Sequence, residues 1–246
     1  MELRPRVCSR LTRLSKKTIL LNMRLESKPW GEKYADMFCS EVPVEVQRAL
    51  LHGLFRNYSD ASEHCYTVFR HPIARNASGP YRHSKIEDDW CGIAERFPRA
   101  VKFTHKPFRN KKSGKITGTY VQLEIGRVRL TESCVRTPSS LPRDADFRET
   151  LAMEAQRSLF GEDEKESDGY LYGVYLHGVD VASENRNRPA FAKVRFPNRR
   201  FSGYIGKGVD LWTRFADIVG QFIDVKNDFT KPAPVKPRTP VKEEQA

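Results

Sequence analysis

Apolar residues recur at helical spacing in two segments of the first hundred residues. The first segment is 41–57, where Pro43 suits the first turn of a helix. In the second, Ser84 and Glu87 have the spacing of a capping box, and the helix is expected to end at Pro98. The residues between these two segments are interpreted as a mixed stretch. It would contain a short strand at 65–70 and then a loop through several prolines and glycines.

After residue 100 the apolar spacing changes to the period of two that is typical of β-strands. Two strands are predicted on either side of the polar tip 110–115, with Val121 and Ile125 on one face of the returning strand. Beyond Gly126 the apolar phase shifts to Val128 and Leu130. A glycine bulge accounts for such a shift, so the pattern predicts a hairpin or a meander of three strands.

The second half of the chain repeats this alternation of helix and hairpin. A helix is predicted over 143–160, and a second hairpin over 170–196 with a polar connection at 185–189. Gly206 and Gly208 then lead into a last amphipathic helix. This order predicts an α+β fold, with antiparallel β-hairpins or a mixed sheet packed against amphipathic helices. One mixed sheet and two helix–hairpin units joined near 161–168 both fit the pattern.

The pattern divides the chain into units with different expected behaviour. Residues 1–28 are a basic extension expected to be poorly ordered, and either Met1 or Met23 fits as the start. An α+β unit with the first hairpin follows over 29–160. Residues 161–229 hold the second hairpin and the C-terminal helix, expected to pack on the first unit. Residues 230–246 are rich in proline and lysine and are expected to be disordered.

Charge adds a functional expectation to this fold. The net charge is +12, and basic residues concentrate in two segments, 99–136 and 186–207, the second of which contains no acid. Because a polyanion relieves the repulsion within such clusters, DNA or RNA is the expected partner, held through its phosphates. The candidate contact residues are Lys102, His105, Lys106, Arg109, Lys111, Lys112, Lys115, Arg127, Arg129, Arg186, Arg188, Lys193, Arg195, Arg199 and Arg200.

Aromatic residues interleave with both basic segments, which is typical of proteins that stack bases on rings. Phe103 and Phe196 occupy the apolar phase of their strands and are expected in the core. The rings expected to be exposed are Phe108, Tyr120, Phe191 and Tyr204.

The element order of residues 84–178 suggests an enzymatic alternative. A helix, three strands, a helix and a strand resemble the core topology of PD-(D/E)xK nucleases, which would imply two acids and a lysine that hold Mg²⁺ for phosphodiester cleavage. Glu124 is the candidate strand acid, but position 126 is glycine where that pattern has lysine. A second acid–base candidate group lies at a strand end and comprises His177, Asp180 and, on the partner strand, Lys193.

The remaining expectations concern compartment, cofactors and other partners. The cysteines are odd in number and widely spaced, which favours a reducing compartment and a cytoplasmic protein. His64, Cys65 and His71 lack the spacing of a four-ligand zinc site, so no metal and no cofactor is expected. No membrane association is expected, because no apolar run is long enough to cross a bilayer. As a third alternative, the chain is an interaction subunit that binds proteins through the acidic loop 162–168 or the proline-rich tail.

Overall fold

The fold is described from a computed structural model of the chain. The described residues are 29–109, 113–143, 146–160, 169–182 and 186–223, with the backbone alone for 156–160. They form helices and one six-stranded mixed sheet, which confirms the predicted α+β class. The basic extension, residues 110–112 of the first hairpin tip, the acidic loop and the C-terminal tail lie outside the described residues. None of the helices in the described ranges is both long and apolar enough to span a membrane.

The elements follow each other in a simple order. The helices are α1 (Trp30–Glu41), α2 (Val44–Val68), α3 (Ile73–Arg96), α4 (Asp146–Phe160), α5 (Leu211–Arg214) and α6 (Ala216–Ile223). The strands are β1 (Val101–Arg109), β2 (Ile116–Ile125), β3 (Val128–Cys134), β4 (Leu171–Val179), β5 (Pro189–Arg195) and β6 (Val209–Asp210).

The strands lie in the sheet in the order of the sequence, from β1 to β6. All neighbours are antiparallel except β3 and β4, which are parallel and are joined by the crossover that contains α4. A crossover of this kind places a helix over one face of the sheet. Strands from the segments before and after residue 161 therefore belong to one sheet.

Two apolar clusters cover the two faces of this sheet. The larger cluster joins α1, α2, α3, α5 and α6 to residues such as Leu123, Leu130 and Tyr175. The smaller cluster joins α4 to the other face, through residues such as Tyr172 and Leu176. Alternate residues of β4 thus point into different layers, and β4 is buried on both sides.

The helices before β1 extend further than the apolar pattern predicted. The predicted end near Asn57 and the predicted strand at 65–70 are both wrong, because α2 continues to Val68. Residues 73–83, interpreted as a loop, form the first turns of α3, which contains Pro80 in its interior. Burial on the sheet overrides these local signals, since α2 has buried residues as far as Cys65.

The turn between β2 and β3 also differs from the predicted bulge. Ile125 pairs with Val128, and only Gly126 and Arg127 lie between them. Gly126 has a φ of 54°, which a glycine at the first position of a two-residue hairpin turn adopts without strain. The shift in apolar phase is therefore the result of a tight turn, which places Ile125 and Val128 on the same face.

Candidate functional site

The first basic segment forms a surface on the first three strands. Lys102 and Lys106 from β1 and Arg129 from β3 surround one carboxylate, that of Glu124 on β2. The Lys106 ammonium lies 2.9 Å from Glu124 Oε1, and the Lys102 ammonium lies 3.9 Å from Glu124 Oε2. Two lysines thus pair with Glu124, and Arg129 lies near both this acid and Glu154, which accepts from the Tyr170 hydroxyl. The surface keeps an excess of positive charge. These three cations, with Arg109 and Lys115 near the hairpin tip, are called the basic strip.

The cations at the tip have no acidic partner in the described part of the chain. The Arg109 guanidinium donates to the carbonyl of Gly114 at 3.0 Å, and Lys115 is exposed. His105 is exposed too, with its ring stacked 5.8 Å from that of Phe103. Lys111 and Lys112 lie outside the described residues.

Three of the seven cations of the second segment, all on or next to β5, have partners within the protein. Arg188 is paired with Asp180 at 2.7 Å and Lys193 with Asp210 at 2.9 Å. The Arg195 guanidinium lies over the ring of Tyr204 and donates to a backbone carbonyl. The acids that neutralise this segment come from flanking residues, which a count within 186–207 cannot reveal.

The remaining candidate cations are two arginines in and after the turn between β2 and β3, and three arginines of the second segment. Arg127 forms an ion pair with Glu41 of α1 at 2.8 Å. The Arg129 guanidinium also lies over the ring of Tyr170, 3.6 Å from its centroid. Arg186 is half-buried, whereas Arg199 and Arg200 are exposed in the turn after β5.

The rings expected to be exposed are largely packed instead. Phe191 is buried, with 8% of its surface exposed. The ring of Tyr120 stacks on that of Phe147 at 4.1 Å, and the ring of Phe108 lies 5.5 Å from that of Phe147. Tyr204 is half-buried and donates to the carbonyl of Ser140. The basic strip therefore offers cations rather than a row of free rings.

The carboxylate of Glu124 is engaged by lysines. Its Oε1 also accepts from the Gln122 amide at 2.9 Å. Burial opposes ionisation of Glu124, but the hydrogen bond and the charge of Lys106 hold the pKa of its carboxyl below the usual value. Among the described residues, no group of three or more His, Cys, Asp or Glu side chains is arranged to hold a metal ion.

The predicted strand-end group of His177, Asp180 and Lys193 is not brought together. His177 lies opposite Ala192, on the face covered by α2 and α3, whereas Lys193 lies opposite Leu176 and belongs to the other face. Asp180 accepts instead from Arg188.

His177 has different partners from those predicted, at the carboxyl ends of the parallel strands β3 and β4. Its Nε2 lies 2.5 Å from Glu132 Oε1, and its Nδ1 lies 2.8 Å from the Tyr58 hydroxyl. The other oxygen of Glu132 lies 2.8 Å from Nδ1 of His83. Cys134 is the direct register partner of His177, so its thiol lies beside His177 on the same face of the sheet. These five side chains are called the Cys134 cluster.

The Cys134 cluster perturbs the protonation of its members. Burial opposes ionisation of Glu132, but hydrogen bonds from His177 and His83 hold the pKa of this carboxyl well below its usual range. Burial also opposes protonation of His177, yet its bonds to Cys134 and Glu132 raise the pKa of the imidazole. Burial opposes ionisation of the Cys134 thiol, but the hydrogen bond and charge of His177 lower its pKa.

Sequence reasoning missed most of the Cys134 cluster because its members come from four different elements. One signal was present: Val128, Leu130, Glu132 and Cys134 share one face of β3, so an acid occupies the apolar phase of a strand. Glu132 is followed two residues later by Cys134, so the acid–x–lysine pattern of the nuclease resemblance is absent from β3 as well. Comparisons of the chain with protein-family models, curated proteins and solved structures find no match.

Proposed function

We propose that the protein binds nucleic acid through phosphate contacts made by the basic strip. The observation that supports this proposal is the sharing of one carboxylate, Glu124, by Lys102 and Lys106, beside the exposed cations Arg109 and Lys115. Folding leaves this surface with an excess of cations, and phosphates would neutralise them while releasing counterions. The net charge of +12 favours the same partner.

The structure favours the first hairpin over the second as the contact surface. The cations of the basic strip outnumber the carboxylates around them, whereas Arg188 and Lys193 each have an acid of their own. A phosphate that contacted Arg188 or Lys193 would have to compete with an existing ion pair. The binding mode proposed is contact with the backbone rather than stacking of bases, because Phe191 is buried and Tyr120 is stacked on Phe147.

A salt titration of binding tests the proposal. The full chain would be titrated with a fluorescent single-stranded oligonucleotide and with a fluorescent duplex at several salt concentrations. The double variant Arg109→Ala/Lys115→Ala should bind both more weakly, and the slope of log affinity against log salt should flatten by about one unit per lost contact. The matched control is Arg188→Ala/Lys193→Ala, which removes the same charge from the second hairpin.

The control pair makes the outcome specific to the basic strip. The control variant should keep most of the salt slope of the wild type, since both of its cations are neutralised within the protein. An unchanged slope in Arg109→Ala/Lys115→Ala, or an equal loss of slope in both variants, contradicts contact through the basic strip.

We propose a cytoplasmic location for the protein, since the described cysteines are free thiols.

A further inference from the structure

A pocket beside the Cys134 cluster combines a thiol with two arginines that form no ion pair among the described residues. Its volume is about 260 Å³, and its lining includes Cys134, His177, Glu132, Arg82 and Arg148. The pocket lies where the parallel strands β3 and β4 end. Such strand ends are where open sheets that contain parallel strands commonly bind ligands. Its position, polarity and thiol together make it a candidate reaction site.

We propose that Cys134 is the nucleophile of a second site, where its sulfur attacks an electrophile that carries a neighbouring negative charge. This inference goes beyond nucleic-acid binding and uses none of the cations of the basic strip.

The geometry of Cys134 is that of an activated thiol rather than a structural one. Cys134 is exposed, so a reagent can reach its sulfur. His177 lies beside the thiol as its register partner. Glu132 holds the imidazole through Nε2 at 2.5 Å, and the Tyr58 hydroxyl lies 2.8 Å from Nδ1. A nucleophile, a base and a third group that orients the base are the parts that covalent catalysis by a thiol needs.

Two arginines give the pocket its preference for negative charge. Arg82 is 3% exposed, and its Nε has no hydrogen-bond partner. Its guanidinium lies over the ring of Tyr58, 4.0 Å from the centroid, and donates to the carbonyl of Arg186. Within the described part of the chain, no carboxylate lies within ion-pair distance of Arg82. A buried guanidinium without an acid favours an anionic ligand in the space beside it.

Arg148 extends this positive surface from the first turn of α4. Its two terminal nitrogens donate to the carbonyls of Arg143 and Glu132, and its Nε is also without a partner. Among the described residues, the contacts of the Arg82 and Arg148 guanidiniums are carbonyl oxygens and aromatic rings. The carboxylate of Glu132 is already shared between His83 and His177.

The reaction is a displacement at the electrophilic atom. The Cys134 sulfur forms a bond to that atom, and the leaving group departs with the bonding electron pair. The proton of the Cys134 thiol passes to His177, and the imidazolium returns it to the leaving group. In the test reaction with iodoacetate, the carbon–sulfur bond forms, the carbon–iodine bond breaks and iodide leaves, so no oxidant or reductant is needed.

Alkylation of the full-length protein tests the proposal at the level of single cysteines. Iodoacetamide and iodoacetate would be added separately from about pH 5 to about pH 9, and peptide mass spectrometry would measure the rate at Cys134. At about pH 6, Cys134 in the folded chain should react at least about tenfold faster than Cys134 in the urea-unfolded chain. Equal rates in the folded and unfolded chains would overturn the proposal.

Two variants separate activation of the thiol from its exposure. In His177→Asn, the pH profile of alkylation at Cys134 should move up to that of an ordinary thiol, with folding checked by circular dichroism. Tyr58→Phe keeps the ring beneath Arg82 and removes the hydroxyl that contacts His177 Nδ1, so its profile should move upward by less. If His177→Asn does not fold, the pH profile of alkylation in Tyr58→Phe tests the activation of the thiol by itself. A wild-type profile in the folded variant rejects the activating role.

A third variant tests the choice of an anionic electrophile. Arg148→Gln should lower the ratio of the iodoacetate rate to the iodoacetamide rate at Cys134 by about threefold or more. The iodoacetamide rate itself should change little, since that reagent is neutral. An unchanged ratio would show that the pocket does not select negative charge.

Discussion

Cys134 and His177 lie directly opposite each other in the parallel register of β3 and β4. The amide of the next residue, Val135, donates to the carbonyl of His177 at 2.8 Å and continues the pairing past the end of β3. The backbone that carries the thiol and the imidazole is therefore fixed by the hydrogen bonds of the sheet and does not lie in a loop. Side chains that take part in chemistry are positioned most precisely on rigid elements of this kind.

The Cys134 cluster should give the stability of the protein a distinct pH dependence. The lowered pKa of Glu132 stabilises the fold above the usual value of 4.5, and this contribution is lost as the pH falls below it. The raised pKa of His177 stabilises the fold below the usual value of 6.5, and this contribution is lost as the pH rises through the raised pKa. Urea unfolding across this range should show a maximum between the two usual values.

The same measurement on Glu132→Gln gives the control. This variant leaves His177 buried without its carboxylate and should lose about 3 kcal/mol or more at the pH of the maximum. Its stability should also vary less with pH than that of the wild type. A wild-type curve that is flat from acidic to neutral pH would contradict the assigned role of Glu132.

Trp90 of α3 should be a packing residue. It is 1% exposed and lies in the larger apolar cluster, as its helical spacing with Ile86 and Ile93 predicted. Trp90→Ala should lower the free energy of unfolding by about 3–5 kcal/mol, measured by urea denaturation. Loss of nucleic-acid binding without loss of stability would instead make Trp90 a contact residue.

Glu124→Gln separates the basic strip from the nuclease alternative. Removing the one carboxylate shared by the lysines should strengthen oligonucleotide binding and steepen its salt dependence. Its effect on stability should be about 1 kcal/mol or less, because Glu124 is only partly buried and Lys102 is largely exposed. Metal-dependent cleavage of labelled nucleic acid by the wild type that disappears in Glu124→Gln would contradict this account and support the nuclease.

Gly206 should tolerate no side chain, because α1 approaches it closely. A Cβ at Gly206 would lie 2.4 Å from the Cα of Gly31, and the φ of Gly206 is 64°. Gly206→Ala should therefore cost about 1–3 kcal/mol or more. The matched control is Gly92→Ala in α3, where a Cβ would meet nothing within 4 Å. Gly92→Ala should stabilise the protein by about 0.5–1 kcal/mol. Thermal unfolding of both variants and of the wild type measures the two changes.

The strands could be predicted from the sequence more fully than the helices. The alternation around Val121 and Ile125 depends on one buried face, and that face exists in the fold. The end of α3 was predicted within two residues, but the end of α2 could not be, since Asn57 and Tyr58 have weak helix propensity and are buried by packing.

The two candidate sites differ in what the sequence could reveal. The basic strip is nearly contiguous, so its lysines and arginines were found by counting charge along the chain. The Cys134 cluster depends on the parallel contact of β3 with β4, across an intervening helix. No local pattern indicates that Cys134 and His177 are neighbours, and only the polar residue Glu132 on an apolar strand face pointed to the place.

Hydrogen–deuterium exchange of the full chain, with and without a saturating oligonucleotide, tests the central claim most directly. Binding through the basic strip should slow exchange in β1 and β2, Val101–Arg109 and Ile116–Ile125, and leave β5 unchanged. The variant Arg109→Ala/Lys115→Ala should show little of this protection at the same oligonucleotide concentration. Protection confined to the second hairpin and the turn after it, or no protection anywhere, would contradict the proposed function.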